Sequence, residues 1–387
     1  MQADVLHPSE LSDSDLGAWS ELQAATPAFS GPLLGPDFAR AVGDVRADAR
    51  VAVLRRGGQA IGFLPHHRRP TGFARPIGSP FSDYHALVSA PGEPLEGSEV
   101  LRAARLSALR FSGLIDPFGV FEGGRESRTD GFQIVLEGDA QSYLDGLAAD
   151  SRNRSKNYRR YHQKLERELG PVRMVAHDAS PAAFEQLIAW KREQTRRTGV
   201  QDFLRAAWTR RLLKRLFDAR EGTFQGVMFS LYAGESLVCG HFGVRLGEHF
   251  HPWIGASDPE LRAHSPGMIH QWMAIEAMPA LGLRTYDLGP GFDHWKRMFA
   301  QSALPVNAGL ATAQSPAGRL ASSCDKVWSL PPLSRIEAAG RLRRRLDQIA
   351  VTELTLGGRV HGVVNAIAGY ERRMNTRTDG RATPAAA

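Results

Sequence analysis

The sequence predicts a mixed α/β (α+β) fold, and three stretches carry that expectation. Residues 51–54 and 60–65 are short apolar runs joined by Arg55-Arg56-Gly57-Gly58-Gln59, whose Gly-Gly pair is a hairpin signature. Residues 226–233, 236–246 and 249–255 are three strand patterns separated by Ala233-Gly234-Glu235 and Leu246-Gly247-Glu248, which reads as an antiparallel meander. Residues 262–299 then read as a turn, a helix (269–281), a short strand (283–288), a glycine elbow at Gly289-Pro290-Gly291 and a second short helix (293–299). In that order, the turn offers backbone N–H groups to an anion at the positive end of a helix.

Composition bounds the rest. A chain of 387 residues that is 42% hydrophobic can bury a core in each of two domains. The formal charge of +7 favours anionic partners, among them nucleic acid, anionic lipid and phosphorylated cofactors, without choosing between them. Cys239 and Cys324 are too few for a disulfide framework, and Cys239 lies in an apolar run as a buried thiol would. The acidic N-terminus lacks the apolar core of a signal peptide. No run of about 18 apolar residues occurs. The expectation is a soluble, cytoplasmic protein.

Taken in order, residues 11–19 and 36–42 read as helices, and the hairpin follows. An irregular segment ends in Ser82-Asp83-Tyr84, a polar cluster that reads either as the lining of a cleft or as a surface turn with Tyr84 half-buried. Residues 100–109 and 141–148 read as helices, and 112–121 and 131–136 as strands. This makes 1–150 a first, mixed domain. At Ser151 the composition turns basic, with Arg152, Arg154, Lys156, Arg159, Arg160, Lys164 and Arg167 on a helix that ends at Gly170-Pro171. Tyr158, Tyr161 and Leu165 make its packing stripe, and its arginines make either a solvated face or a basic wall beside an anionic ligand. A strand (172–176) and helices (181–195, 206–217) lead into the meander, and a last strand (304–313) closes a second domain, 151–313. Residues 314–375 read as a C-terminal helical extension with helices at 336–349 and 360–373, and 376–387 as a disordered tail.

From 172 onward, the element order and the turn at Arg262, Ser265, Pro266 and Gly267 resemble the GNAT acyltransferase superfamily. Ser265 stands where that family's turn has its first glycine. The basic helix with Arg154, Arg159, Arg160 and Leu165, the Ser265-Pro266-Gly267 turn, Tyr286-Asp287-Leu288-Gly289 with Trp295-Lys296, and Ser82-Asp83-Tyr84 together resemble the CelD-type branch, tied to cellulose or exopolysaccharide biosynthesis. That branch is similar to the FemABX-type transferases. The resemblance implies tandem GNAT-like halves, each a mixed, mostly antiparallel sheet flanked by helices, with the first half lacking its phosphate turn.

It further implies acetyl-CoA or another acyl-CoA as co-substrate and no metal. Arg262, Ser265, Gly267 and Met268 would hold the pyrophosphate, and Trp253, Ile254 and Gly255 the thioester arm. His241, on the middle meander strand, is the general-base candidate because an imidazole suits neutral pH; His251 and His264 are the other histidines in range. Asp287 and Lys296 join His241 as catalytic candidates, with His294 a further group for the leaving thiolate, since the last short helix has no tyrosine. Asp83, Tyr84, Arg154 and Tyr158 are the substrate-binding candidates. His249 and His251 share a strand face, but no third ligand is spaced for zinc. The leading expectation is an acyl-CoA-dependent N- or O-acyltransferase acting on a sugar, a polysaccharide precursor, a lipid-linked saccharide or another envelope substrate. The alternatives are an aminoacyl-tRNA-dependent transferase whose basic helix meets RNA, or a non-catalytic two-lobed protein. Peripheral contact with an anionic membrane is also compatible with the charge.

Overall fold

A computed structural model describes residues 1–69, 71–198, 201–291, 294–327, 330, 337–354 and 357–364. The first half contains β1 (Gln2–Leu6), α1 (Asp13–Ala25), α2 (Pro36–Gly43), β2 (Ala49–Arg56), β3 (Gln59–Arg68), β4 (Phe73–Pro76), β5 (Val88–Ser89), α3 (Gly97–Ala103), β6 (Ala108–Leu114) and β7 (Arg125–Val135). Two helices, α4 (Ala140–Asp150) and α5 (Arg152–Leu169), lead into the second half. There β8 (Val172–Ala176), α6 (Pro181–Thr198), α7 (Ala207–Asp218), β9 (Phe224–Ala233), β10 (Ser236–Leu246) and β11 (His249–Ser257) follow. The chain continues through α8 (Pro266–Ala277), β12 (Thr285–Pro290), α9 (His294–Phe299), β13 (Ser302–Thr312), α10 (Pro316–Val327) and α11 (Glu337–Thr352).

Each half runs strand, two helices, three-strand meander, helix and two strands. Among the described residues all thirteen strands join one sheet, ordered β1-β2-β3-β4-β6-β13-β7-β12-β11-β10-β9-β8, with β5 on β3. The order is palindromic in its pairing. It is antiparallel everywhere except β4 with β6 and β11 with β12, which are parallel. The last strands are exchanged: β7 of the first half pairs with β12, and β13 of the second pairs with β6. The two then pair with each other at the centre. This mixed α/β architecture, with two equivalent halves in one sheet flanked by helices, is the fold class expected.

Trp19 of α1, Phe38 of α2, Phe184 of α6 and Trp208 of α7 share one apolar core. Leu144 of α4 and Ile275 of α8 fill a second, with Phe250 and Tyr286 of the sheet. The C-terminal extension is anchored to both halves. Arg46 and Trp208 donate to the carbonyls of Val351 and Thr352, and Asp325 pairs with Arg110 and Arg343.

Several local expectations need correction. The helix expected at 100–109 ends at Ala103, because Arg105 turns to φ 55° and starts the descent into β6. The strand expected at 112–121 stops at Leu114. Asp116 then accepts the N–H groups of Val120 and Phe121, a side-chain turn that competes with a ladder. The helix expected at 269–281 begins at Pro266 and gives way to a 3-10 turn at Pro279, which cannot continue it. The strands β1, β4 and β5 lie outside the expected strands, and α10 falls within the expected helical extension ahead of the two helices placed in it. Of the helix expected at 360–373, residues 360–364 are helical and the remainder lies outside the described residues, as does the expected disordered tail.

Candidate active site

The site is created by a divergence of two strands. β11 and β12 run parallel, but their register holds only for His249 with Thr285 and Phe250 with Tyr286. Beyond that point they separate, and the edge of β11 from His251 onward has no strand partner on that side among the described residues. The result is a wedge walled by the end of β11 and by β12 with its elbow. Gly289 at φ 75° and Gly291 at φ 116° make the elbow, a conformation costly to other residues.

The first half has the same parallel pair, since β4 meets β6 only at Phe73 with Ala108 and Ala74 with Leu109. Its wedge is filled by the chain's own residues. His85 bridges Leu114 in parallel, its N–H donating to Gly113 and its carbonyl accepting from Ile115. A Cβ on Gly113 would sit 1.9 Å from the Asp83 carbonyl, so only glycine lets this segment in. The plug thereby carries Asp83 and Tyr84 toward the open wedge of the second half.

Alternation along the strands turns Tyr286 and Phe250 into the second core and leaves Asp287, His249 and His251 on the other face. Asp287 is fully buried. It accepts from the Tyr84 hydroxyl at 2.8 Å, Gln133 Nε2 at 2.7 Å and the Gly289 N–H at 2.7 Å. His249 Nε2 and His251 Nδ1 each stand 3.5 Å from its oxygens. Burial works to raise the Asp287 pKa, but the neighbouring His249 and His251 outweigh it and hold the carboxyl well below its usual range. His251 Nε2 lies 3.0 Å from Asp83 Oδ2. Burial alone would lower His251, yet the two flanking carboxylates raise it to about 9. Tyr84 is buried rather than half-buried, which pushes its pKa up, and Gly131 makes room for its hydroxyl. A cavity of about 40 Å³ adjoins Asp287, lined among others by Ser30, Gly31, Tyr84, Gln133 and His249.

Lys296, on α9, donates to the carbonyls of Pro290 at 2.7 Å and Gly289 at 3.4 Å, bracing the elbow from below. Asp83, Tyr84, Asp287 and Lys296 are thus brought together. His241 is not part of this cluster. It lies opposite Gly255 in the β10–β11 ladder, with Nδ1 2.6 Å from the Tyr286 hydroxyl and its ring 4.1 Å from that of His270. Burial, with His270 and Lys191 nearby, holds its pKa well below that of free imidazole, so the ring is neutral. Ligand atoms of Cys239, His241 and His270 lie within 4.8 Å of one another. Burial pushes the Cys239 thiol up to about 12, and His270 is lowered to about 4, so the trio is uncharged.

On the donor side, Trp253 packs on Phe38 and Phe81, and its indole Nε1 is buried without a hydrogen-bond partner among the described residues. Ile254 is buried, and the Gly255 carbonyl accepts from Lys191 Nζ at 3.3 Å. Ser265 is left-handed at φ 48°, the role a glycine was expected to fill. The turn offers fewer free donors than expected. The Ser265 N–H is taken by Arg262 and the Met268 N–H by Ser265. Gly267 opens into space, since a Cβ there would meet nothing within 4 Å, and its N–H has no partner among the described residues. Arg262 is exposed beside it. The basic helix α5 braces this turn, with Glu168 bonded to His264 at 2.6 Å and Tyr161 facing Ser265. Tyr158 stacks on Trp272 of α8 at 4.7 Å, and Arg154 donates to the Leu147 carbonyl. Neither contacts the Asp83–Asp287 cluster.

These features fit an elongated phosphorylated thioester: an open turn at a helix N-terminus, a strand edge to take an extended arm, and a polar apex.

Residues 152–297 match the family model described as an Acetyltransferase (GNAT) domain. The match covers α5 to α9 and includes the turn and both walls of the wedge. It supports an acyltransferase. No curated protein matches the chain. Among solved structures, the chain is similar to FemX, at 10% identity and a TM-score of 0.48 over 79% of this chain and 96% of that one. It is similar to a DUF2156 domain from Agrobacterium fabrum, at 10% identity and a TM-score of 0.47 over 81% and 96%. A tandem GNAT protein from the clavulanic acid biosynthesis pathway is 14% identical, with a TM-score of 0.46 over 81% and 99%. Likeness at this level assigns no activity.

Sequence reasoning gave little weight to His251 and passed over Gln133, Lys191 and His270. The signal available for His251 was its spacing. His249 and His251 alternate around Phe250, which puts both imidazoles on the face opposite a core aromatic.

Proposed function

We propose that this protein is an acyl-CoA-dependent N- or O-acyltransferase. The observation that carries the reading is the parting of β11 and β12 immediately after Phe250 and Tyr286, with a buried polar network at the apex and an open Gly267 turn at the start of α8. The exposed edge of β11 supplies backbone groups for an extended arm, and α8 supplies its N-terminal field to a phosphate. The acyl carbon would then lie near the apex, with acceptors entering beside Asp83 and the loop that holds Ser30 and Gly31. The acceptor proposed is a sugar, a polysaccharide precursor or a lipid-linked saccharide, a reading that rests on the CelD-type resemblance of the sequence. Titration calorimetry with acetyl-CoA tests the core claim. Micromolar binding is expected; absence of heat at high protein concentration removes the foundation.

A second reading follows from Ser155, Lys156, Arg159, Arg160 and Gln163, which line an open basic groove along α5. An aminoacyl-tRNA donor would place its phosphates there. Its mark would be tRNA affinity that falls steeply with salt.

A further inference from the structure

The His251 ring is enclosed, with its side chain 1% exposed, and each nitrogen faces a carboxylate. The two carboxylates differ. Asp287 is wholly buried, and its position is fixed by Tyr84, Gln133 and the Gly289 N–H. Asp83 is 41% exposed by side chain, sits on the plug segment and covers Nε2 from the solvent side. A rigid carboxylate on Nδ1 and a displaceable group on Nε2 is the arrangement of an oriented base whose working nitrogen is capped at rest.

Resting on the acyltransferase reading, we infer that His251 takes the acceptor's proton, that Asp287 positions its ring, and that Asp83 caps Nε2 until the acceptor displaces it. In the transfer step the acceptor nitrogen or oxygen bonds to the acyl carbon while its proton passes to His251 Nε2. The carbon–sulfur bond breaks, and the coenzyme leaves as thiolate, which takes up the proton on release. Nδ1 keeps its proton toward Asp287 throughout. His241, by contrast, bonds Tyr286 and faces Gly255, and so lines the donor arm rather than the acceptor entrance.

The pH dependence follows from the groups that face His251: Asp83, Tyr84, Asp287 and His249, with Lys296 beyond the elbow and Lys191 on the β11 side. The two carboxylates keep His251 protonated at neutral pH, so the base form, and with it turnover, increases as pH rises toward about 9. The test measures thiol release from acetyl-CoA with hydroxylamine as acceptor, across pH, alongside acetyl-CoA binding by calorimetry. His251→Gln should bind acetyl-CoA as the parent does, lose turnover by about a hundredfold and lose the ascending limb. Asp83→Asn removes one flanking charge and should move the limb to lower pH. The inference is overturned if His251→Gln turns over within a few-fold of the parent, if Asp83→Asn leaves the limb in place, or if a parent that binds acetyl-CoA releases no thiol. Failure of the parent to bind acetyl-CoA overturns the acyltransferase reading itself.

Discussion

The Tyr84 hydroxyl donates to Asp287 Oδ1 at 2.8 Å, so a residue carried by the plugged wedge of the first half completes the buried carboxylate in the open wedge of the second. The two positions are 203 residues apart in sequence. Removing the hydroxyl leaves an anion with one donor fewer in a site water cannot readily reach. Tyr84→Phe is expected to cost about 1–3 kcal/mol of stability, the scale for losing a buried hydrogen-bond partner. Urea unfolding measures it, and an unchanged midpoint would remove this bond from the account of how the halves hold together.

Gly267 offers the cleanest separation of binding from folding. A side chain at that position meets no neighbour, so the fold should tolerate one. Gly267→Asp adds a negative charge at the start of α8, where a phosphate is proposed to sit. Acetyl-CoA affinity should fall by roughly tenfold, about 1.4 kcal/mol, with the thermal midpoint close to that of the parent. Calorimetry and thermal unfolding read the two effects independently.

Ser265 holds a left-handed backbone that glycine adopts without cost. Ser265→Gly should stabilise the protein by about 1 kcal/mol, the order of the penalty for a side chain in this region. Stabilisation by denaturant titration is the expected result. A loss would mean that the contact of Tyr161 with the serine hydroxyl outweighs the strain.

His251 also sets a pH trend in stability. Its folded pKa, about 9, lies above the ordinary histidine value of 6.5. The contribution is therefore complete below about pH 6.5 and is lost as pH rises through about 9. The parent should become easier to unfold between those limits, whereas His251→Gln should be nearly level across them. Chemical denaturation at a series of pH values makes the comparison.

The two thiols should behave differently. Cys239 is buried, and its pKa is pushed up to about 12, while Cys324 is exposed. A chromogenic disulfide reagent at neutral pH should modify Cys324 promptly in the native protein and Cys239 only after denaturation. Rapid reaction of both would mean that the face of the sheet beneath α8 opens readily.

What can be read from the chain follows from what is local in it. The Gly57-Gly58 hairpin, the meander through Gly234 and Gly247, the helix stop at Gly170 and the elbow at Gly289 and Gly291 are each fixed by residues a few positions apart. Asp83, Tyr84, Asp287 and Lys296 were recognisable as chemistry-bearing residues. The match over residues 152–297 bears on the type of domain they serve. The full burial of Tyr84 is not legible there, because nothing beside it in sequence reveals Gly131 or Asp287, the groups that make room for its hydroxyl and bond it.

The sequence by itself determined the first hairpin, the meander, the element order of the second half and the turn at Gly267, because periodicity, turn chemistry and glycine conformation act over a few residues. Tertiary structure decided the exchange of β7 and β13, the plugging of the first wedge by residues 81–85, and the choice of His251 rather than His241 as the imidazole between two carboxylates. These depend on pairings between strands far apart in the chain. A residue's neighbours in sequence carry no record of which distant strand will lie beside it, or of which carboxylate will face its ring.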